Sequence, residues 1–168
     1  MLVGVVSDTH DSISAARRAV DYFNRERVGL VVHCGDFVAP FTLRAFSGLK
    51  CKLVGVFGNN DGDKPLLLRV ASGLGFELHE GFYRFEIDGK GFIMFHGFSS
   101  VDFTEKLADA LARTMNLNVI YGHTHKFRFE RRGEFIILNP GEACGYLSGY
   151  STVALLDSET LEVSRVLL

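Results

Sequence analysis

Residues 2–33, LVGVVSDTHDSISAARRAVDYFNRERVGLVVH, decide the fold. Leu2–Val6 is a short run rich in β-branched residues with no polar alternation, the pattern of a buried strand. Ala16, Val20 and Phe23 then return at helical spacing, and Gly29 stands where a helix C-terminus favours φ > 0. Leu30–His33 is the next strand. A strand, an amphipathic helix and a second strand in that order are the signature of an α/β domain.

The alternation continues outward. Pro40 opens a short helix carrying Leu43 and Phe46, which Gly48 closes, and residues 53–57 return to extended structure. Asp63 caps a third helix, Pro65 suits its first turn, and Leu67, Val70 and Leu74 form its apolar face. Beyond residue 80 the pattern changes, because Asp88-Gly89 separates residues 82–87 from 92–95 as a tight antiparallel hairpin does. Leu107, Leu111 and Met115 predict a fourth helix, followed by a strand over 119–121. Phe127 and Phe129 alternate with Arg128 and Glu130, Arg132-Gly133 makes a turn, and strands over 135–138, Thr152–Asp157 and 161–166 complete the chain. About ten strands and four helices over residues 1–168 predict a single α/β domain of two packed sheets flanked by helices.

Composition bounds what such a domain does. At 168 residues and 47% hydrophobic content, the chain fills one substantial core and is short for a second. A net charge of -2 gives no broad basic field, so neither a polynucleotide nor an anionic membrane is the expected partner, and a small substrate fits better. Cys34, Cys51 and Cys144 form no C-x-x-C pair and read as small apolar residues in a reduced, cytoplasmic setting. The opening residues lack a basic region and meet Ser7-Asp8 too soon for a secretory leader, and no apolar run is long enough for a membrane span.

Five polar motifs each follow an apolar run: Asp8-Thr9-His10, Gly35-Asp36, Gly58-Asn59-Asn60-Asp61, His96-Gly97 and Gly122-His123-Thr124-His125. In an open α/β sheet, loops leaving the carboxyl ends of neighbouring strands meet at one rim. Carboxylate, amide and imidazole donors without cysteine pairs suit a pair of borderline divalent cations. Asp8 and His10 are two apart, so on extended backbone both side chains project to one side, and His123 and His125 repeat the spacing. The adjacent Gly35, Gly58, Gly97 and Gly122 permit φ > 0 or close backbone approach. Each motif alone has a bland reading, as a cap, a turn or a core histidine, and their combination is what points to a metal-dependent hydrolase.

In order and composition the motifs resemble those of the calcineurin-like metallophosphoesterases, whose pattern is Asp-x-His, Gly-Asp, Gly-Asn-His-Asp/Glu, His and Gly-His-x-His. The small size, Ser7-Asp8-Thr9-His10 and Asn139-Pro140-Gly141 look most like the compact prokaryotic phosphodiesterases of the YfcE type. The resemblance implies a four-layer α/β/β/α sandwich. It further implies that Asp8, His10 and His125 hold one ion, that Asn59, His96 and His123 hold the other, and that Asp36 bridges them. A metal-bridging hydroxide would then attack phosphorus in line, with manganese the first choice of ion and nickel, iron, cobalt or zinc compatible.

Departures from that pattern are informative. Asn60 occupies the position of a histidine that contacts the substrate phosphate, and asparagine donates a hydrogen bond but supplies no acid. No catalytic acid is therefore assigned. Asp61 reads either as a carboxylate orienting a ligand histidine or as a turn stabiliser. Phe98 and Glu142 replace a common histidine and serine. His33 reads as a strand residue bonded to backbone and His79 as a surface or edge residue, while Lys126, Arg128, Arg131 and Arg132 are solvated strand and turn residues or an anion-greeting rim. Homo-oligomer formation is left open. The competing class is a non-catalytic protein-binding scaffold of the same fold, as in a retromer subunit, which has no physical need for all seven donors.

Overall fold

The computed structural model describes residues 1–168. Its elements run β1 (Leu2–Val6), α1 (Ile13–Arg25), β2 (Leu30–His33), α2 (Pro40–Arg44) continuing as a 3-10 turn over Ala45–Gly48, β3 (Lys52–Val56), α3 (Lys64–Leu74) and β4 (Glu77–His79). The hairpin β5 (Tyr83–Ile87) and β6 (Lys90–Phe95) follows, then α4 (Val101–Met115), β7 (Asn118–Tyr121), β8 (Phe127–Arg132), β9 (Phe135–Pro140), β10 (Thr152–Asp157) and β11 (Val163–Leu167). One sheet has the order β11-β10-β1-β2-β3-β4 and the other β5-β6-β7-β9-β8. In the first, β1 to β4 are parallel and the β10–β11 end is antiparallel. In the second, β6, β7 and β9 are parallel between antiparallel β5 and β8.

Side-chain alternation along the strands builds the layers. Val3, Val5, Val32 and Val56 point into the space between the sheets, where they meet Phe92, Met94, Ile120, Ile136 and Leu138 of the other sheet. The alternate positions Val6, Val31 and Leu53 face outward onto Ala16, Phe23, Leu43 and Leu67 of α1 to α3. On the far side, Ile93, Phe95, Val119, Tyr121 and Ile137 pack against Ala108 and Ala112 of α4. Three apolar interfaces thus separate four layers, α/β/β/α, and the central strands read as unbroken hydrophobic runs because both of their faces are covered. No helix is long and apolar enough to cross a membrane.

Four details differ from the sequence reading. Gly29 does not take a positive φ; α1 ends at Arg25, Arg27 adopts the left-handed backbone (φ 56°), and the Met1 side chain packs where a Cβ at Gly29 would lie. The buried face of α4 is Thr104, Ala108 and Ala112, with Leu107 and Leu111 flanking it and Met115 exposed. The reason is bulk: Phe95 and Tyr121 already fill the space above the sheet, so the helix must present small residues. Strand β4 was not expected, since a three-residue edge with only Leu78 buried is too short to carry a period. Phe129 does not alternate inward on β8, an edge strand, and is exposed.

The α4 interface generates a direct expectation. Ala108→Leu should overpack it and lower stability by about 1–3 kcal/mol in urea unfolding, whereas Met115→Ala should change stability by no more than about 0.5 kcal/mol.

Candidate metal centre

All five sequence motifs lie just beyond the carboxyl ends of parallel strands: Asp8 and His10 after β1, Asp36 after β2, Asn59 to Asp61 after β3, His96 after β6, and His123 and His125 after β7. The side chains converge. Asp8 Oδ1 is 3.6 Å from His10 Nε2 and 3.3 Å from His125 Nε2. Asp36 Oδ2 is 3.3 Å from both His10 Nε2 and His96 Nε2, which puts it between the two implied donor groups. Asn59 Oδ1 lies 3.1 Å from His96 Nε2 and 2.9 Å from His123 Nδ1, closing the second group.

The backbone beneath these donors is not extended, contrary to expectation. Asp8 (φ 54°), His10 (39°), Asp36 (60°), His123 (68°) and His125 (58°) are all left-handed. Paired side chains reach the same side because alternate residues of each motif share this conformation. Asp and His tolerate it better than branched residues, yet each position still costs about 1 kcal/mol. Hydrogen bonds between loops hold it: Asp8 N and His10 N donate to Gly35 O and Asp36 O at 3.0 Å, and Cys144 N donates to Asp8 O at 3.1 Å. Of the neighbouring glycines, Gly35 (φ 95°) and Gly97 (φ 148°) use positive φ. Gly58 and Gly122 instead leave room for Asp36 and Ser7, whose side chains a Cβ would overlap.

Three buried side-chain atoms lack hydrogen-bond partners: His79 Nε2 at the sheet edge, and Asp8 Oδ1 and His10 Nε2, which lie 3.6 Å apart in this cluster. A buried, unsatisfied carboxylate oxygen costs more than about 1–3 kcal/mol, so a cation beside it resolves an otherwise uncompensated penalty. Burial pushes the Asp36 carboxyl up, but hydrogen bonding and charge from His96 overcome that and hold it well below the usual carboxylate range. Burial lowers His96 while Asp36 and Asp8 raise it more strongly, to about 9. A divalent ion displacing that proton would satisfy the same carboxylates, so the donor set fits the metals that the motifs imply. Three groups of three residues are close enough to hold an ion: Asp8, His10 and His125; Asp8, Asp36 and His96; and His125, Glu142 and Cys144.

Supporting residues complete the centre. Asp8 Oδ2 accepts from Ser7 Oγ at 2.5 Å and from His123 N at 3.1 Å. Asn139 Nδ2 donates to Gly122 O and Thr124 Oγ1, fixing the turn that carries His123 and His125. Burial holds His33 near pKa 3, so the ring is neutral; its Nδ1 accepts from Gly35 N, which leaves Nε2 to donate to Thr9 Oγ1, and that hydroxyl donates to Asp36 O. Asp61 contacts no histidine. It accepts amides of Asp36, Val38 and Gly58 at 3.1, 2.7 and 2.6 Å, tying two loops together. Asn60 Nδ2 and N donate to the two oxygens of Asp36 at 2.8 Å.

Glu142 is the residue whose part the sequence left unassigned. Fully buried, it accepts from His125 Nδ1 at 2.7 Å and from Leu147 N and Cys144 Sγ, so it fixes which ring nitrogen of His125 faces Asp8. Burial pushes it up, but His125 and the amide of Ser148 hold it down to about 2. The run over 135–138 followed by Asn139-Pro140-Gly141-Glu142 has the same form as the other five motifs, and that was the available signal. The three arginines named with Lys126 are committed elsewhere. Arg128 and Arg132 pair with Asp109 and Glu130, and Arg131 donates to Thr160 O and Leu161 O. His79 stacks on Tyr83 at 3.6 Å at the sheet edge.

A fold of this topology with these donors at one rim defines a metal-dependent phosphoesterase class. Residues 1–161 match the calcineurin-like phosphoesterase superfamily domain, and the chain belongs to that superfamily. It is 37% identical over 169 residues to Phosphodiesterase MJ0936 of Methanocaldococcus jannaschii, covering 100% of this chain and 99% of that one. A solved archaeal phosphodiesterase superposes with a TM-score of 0.90 at 36% identity over the whole of both chains. The phosphoesterase YfcE from E. coli (TM-score 0.69, 18% identity, 99% and 98% coverage) and zinc-complexed Vps29 from Entamoeba histolytica (0.70, 21%, 99% and 99%) share the fold.

Glu142→Gln should weaken divalent-metal binding by about 10–100-fold in calorimetric titration, because the hydrogen bond that orients His125 loses its charge. Asp61→Ala leaves three loop amides without an acceptor, and should lower unfolding free energy by about 3 kcal/mol.

Proposed function

We propose that this protein is a dinuclear-metal phosphodiesterase hydrolysing small phosphodiesters. The observation that carries the reading is the meeting of seven donors, Asp8, His10, Asp36, Asn59, His96, His123 and His125, around two unsatisfied buried atoms. A scaffold that only binds proteins gains nothing from such a cluster. Asp8, His10 and His125 would hold one divalent ion, and Asn59, His96 and His123 the other. Bound there, the ions supply Lewis-acid charge for the phosphoryl oxygens and lower the pKa of a water, toward about 7 in the best-known zinc case.

Asp36 reaches both groups, which is what two such ions need. At a separation of about 3.5–4 Å and an effective dielectric of about 20, two dications repel by roughly 18 kcal/mol. The Asp36 carboxylate, within 3.3 Å of a histidine nitrogen of each group, would oppose that repulsion, and Asp8 would add a second negative charge close by. Mixed oxygen and nitrogen donors fit manganese first, with nickel, iron, cobalt and zinc also accommodated.

Asn60 lies beside Asp36, close enough to turn its amide to a phosphate oxygen, but it cannot protonate a leaving group. Esters that depart without an acid are therefore the better substrates, and Phosphodiesterase MJ0936 carries that activity in its name. The protein acts as a single domain over residues 1–168, on small phosphoesters, in the cytoplasm.

Release of p-nitrophenol from bis(p-nitrophenyl) phosphate should require manganese and stop on chelation. Asp36→Asn should lower kcat/KM by about 10²–10³-fold or more, while His79→Ala stays near wild type. An alkyl monoester turned over as fast as the aryl diester would contradict the role given to Asn60.

A further inference from the structure

Beside the metal donors Asn59 and His96 lies a recess of about 190 Å³, walled by Phe57, Phe98 and the Lys64–Glu80 pair. Asn59 and His96, two donors of the proposed metal centre, are among its lining residues, so the recess adjoins that centre. A cavity of about 150 Å³ holds benzene, so the recess has room for one six-membered ring.

Phe98 is an apolar residue at the edge of a polar site, and it is 42% exposed. Its backbone is nevertheless held and its ring packs against two others. It lies 5.5 Å from Phe82 and 6.4 Å, almost parallel, from Phe95, and Thr104 Oγ1 bonds both its N (3.0 Å) and its O (2.8 Å). An aromatic ring packed in advance offers stacking area at little entropic cost. Also lining the recess, the Lys64 ammonium sits 5.2 Å from the Phe57 ring centre and 3.0 Å from Glu80.

We propose that this recess binds a planar six-membered ring on one arm of the phosphodiester, with Phe98 as its stacking face. The proposal rests on the phosphodiesterase reading above and names the class of substrate: diesters with an aryl or pyrimidine-nucleoside arm rather than purely aliphatic ones.

Two measurements test it. The first compares kcat/KM for phenyl trifluoroethyl phosphate and thymidine 5′-trifluoroethyl phosphate, each divided by that for bis(2,2,2-trifluoroethyl) phosphate, in wild type, Phe98→Ala and Phe98→Tyr. These ratios cancel differences in folded fraction between variants. Phe98→Ala should lower at least one ratio by about tenfold, the scale of a lost stacking contact, and Phe98→Tyr should preserve it. The ring whose ratio falls further identifies the source, aryl or nucleobase. Unchanged ratios in Phe98→Ala overturn the proposal even if every diester is hydrolysed.

The second needs no turnover. The chain has no tryptophan, so Phe98→Trp introduces a single tryptophan, excited apart from the tyrosines at about 295 nm, at the stacking face. Its emission should change saturably with phenylphosphonate and not with methylphosphonate. Equal responses, or none, overturn the recess; a selective response in a protein that hydrolyses no diester would keep the recess and reject the phosphodiesterase reading.

Discussion

Asp8, His10, Asp36, His123 and His125 sit on left-handed backbone, and the centre keeps its shape only because hydrogen bonds between loops hold them there. At about 1 kcal/mol per residue, the combined cost is a sizeable part of the stability of a small domain. The compensating bonds are long-range in sequence. The loop after β1 bonds that after β2 through Asp8, His10 and Asp11, and the segment after β9 through Ser7 and Asp8. Asp61 bonds the β2 and β3 loops, and Asp8 Oδ2 bonds the amide of His123 across to the second sheet. Each loop is thus braced by another, so the donors are positioned by the ends of the parallel strands rather than by local preference.

The sandwich makes this bracing possible. Strands β1, β2, β3, β6 and β7 end at one rim because they are parallel within their sheets and the sheets share one apolar interface. Burial there then works on the electrostatics. Asp8, Asp36 and His96 are almost wholly withdrawn from solvent, where charges interact more strongly than in water. Glu142 extends the network outward: it orients His125 while gathering the amides of Leu147 and Ser148, so the segment beyond β9 is tied to a metal donor.

Much of this was legible in the sequence, for reasons that can be named. Residues 2–33 show the α/β pattern because both faces of β1 and β2 are covered, which removes polar alternation. Asp63 does cap α3, accepting from Leu66 N, as its place before Pro65 suggests. That the polar side chains of the five motifs meet was legible because polar residues directly after buried strands have few structural reasons to be there. What escaped was set by tertiary contact. The small face of α4 answers to the bulk of Phe95 and Tyr121, and the left-handed backbone at Asp8, His10, Asp36, His123 and His125 answers to loops far away in the chain. Glu142 escaped because its partners, His125 and the amides of Leu147 and Ser148, gather around it only in the folded chain.

The central claim is that two cations share Asp36 between two donor groups. Anomalous scattering from crystals grown with manganese measures this directly. The account predicts two peaks about 3.5–4 Å apart, one beside Asp8, His10 and His125 and the other beside Asn59, His96 and His123, with Asp36 touching both. A single peak, or a pair that Asp36 does not join, would contradict it.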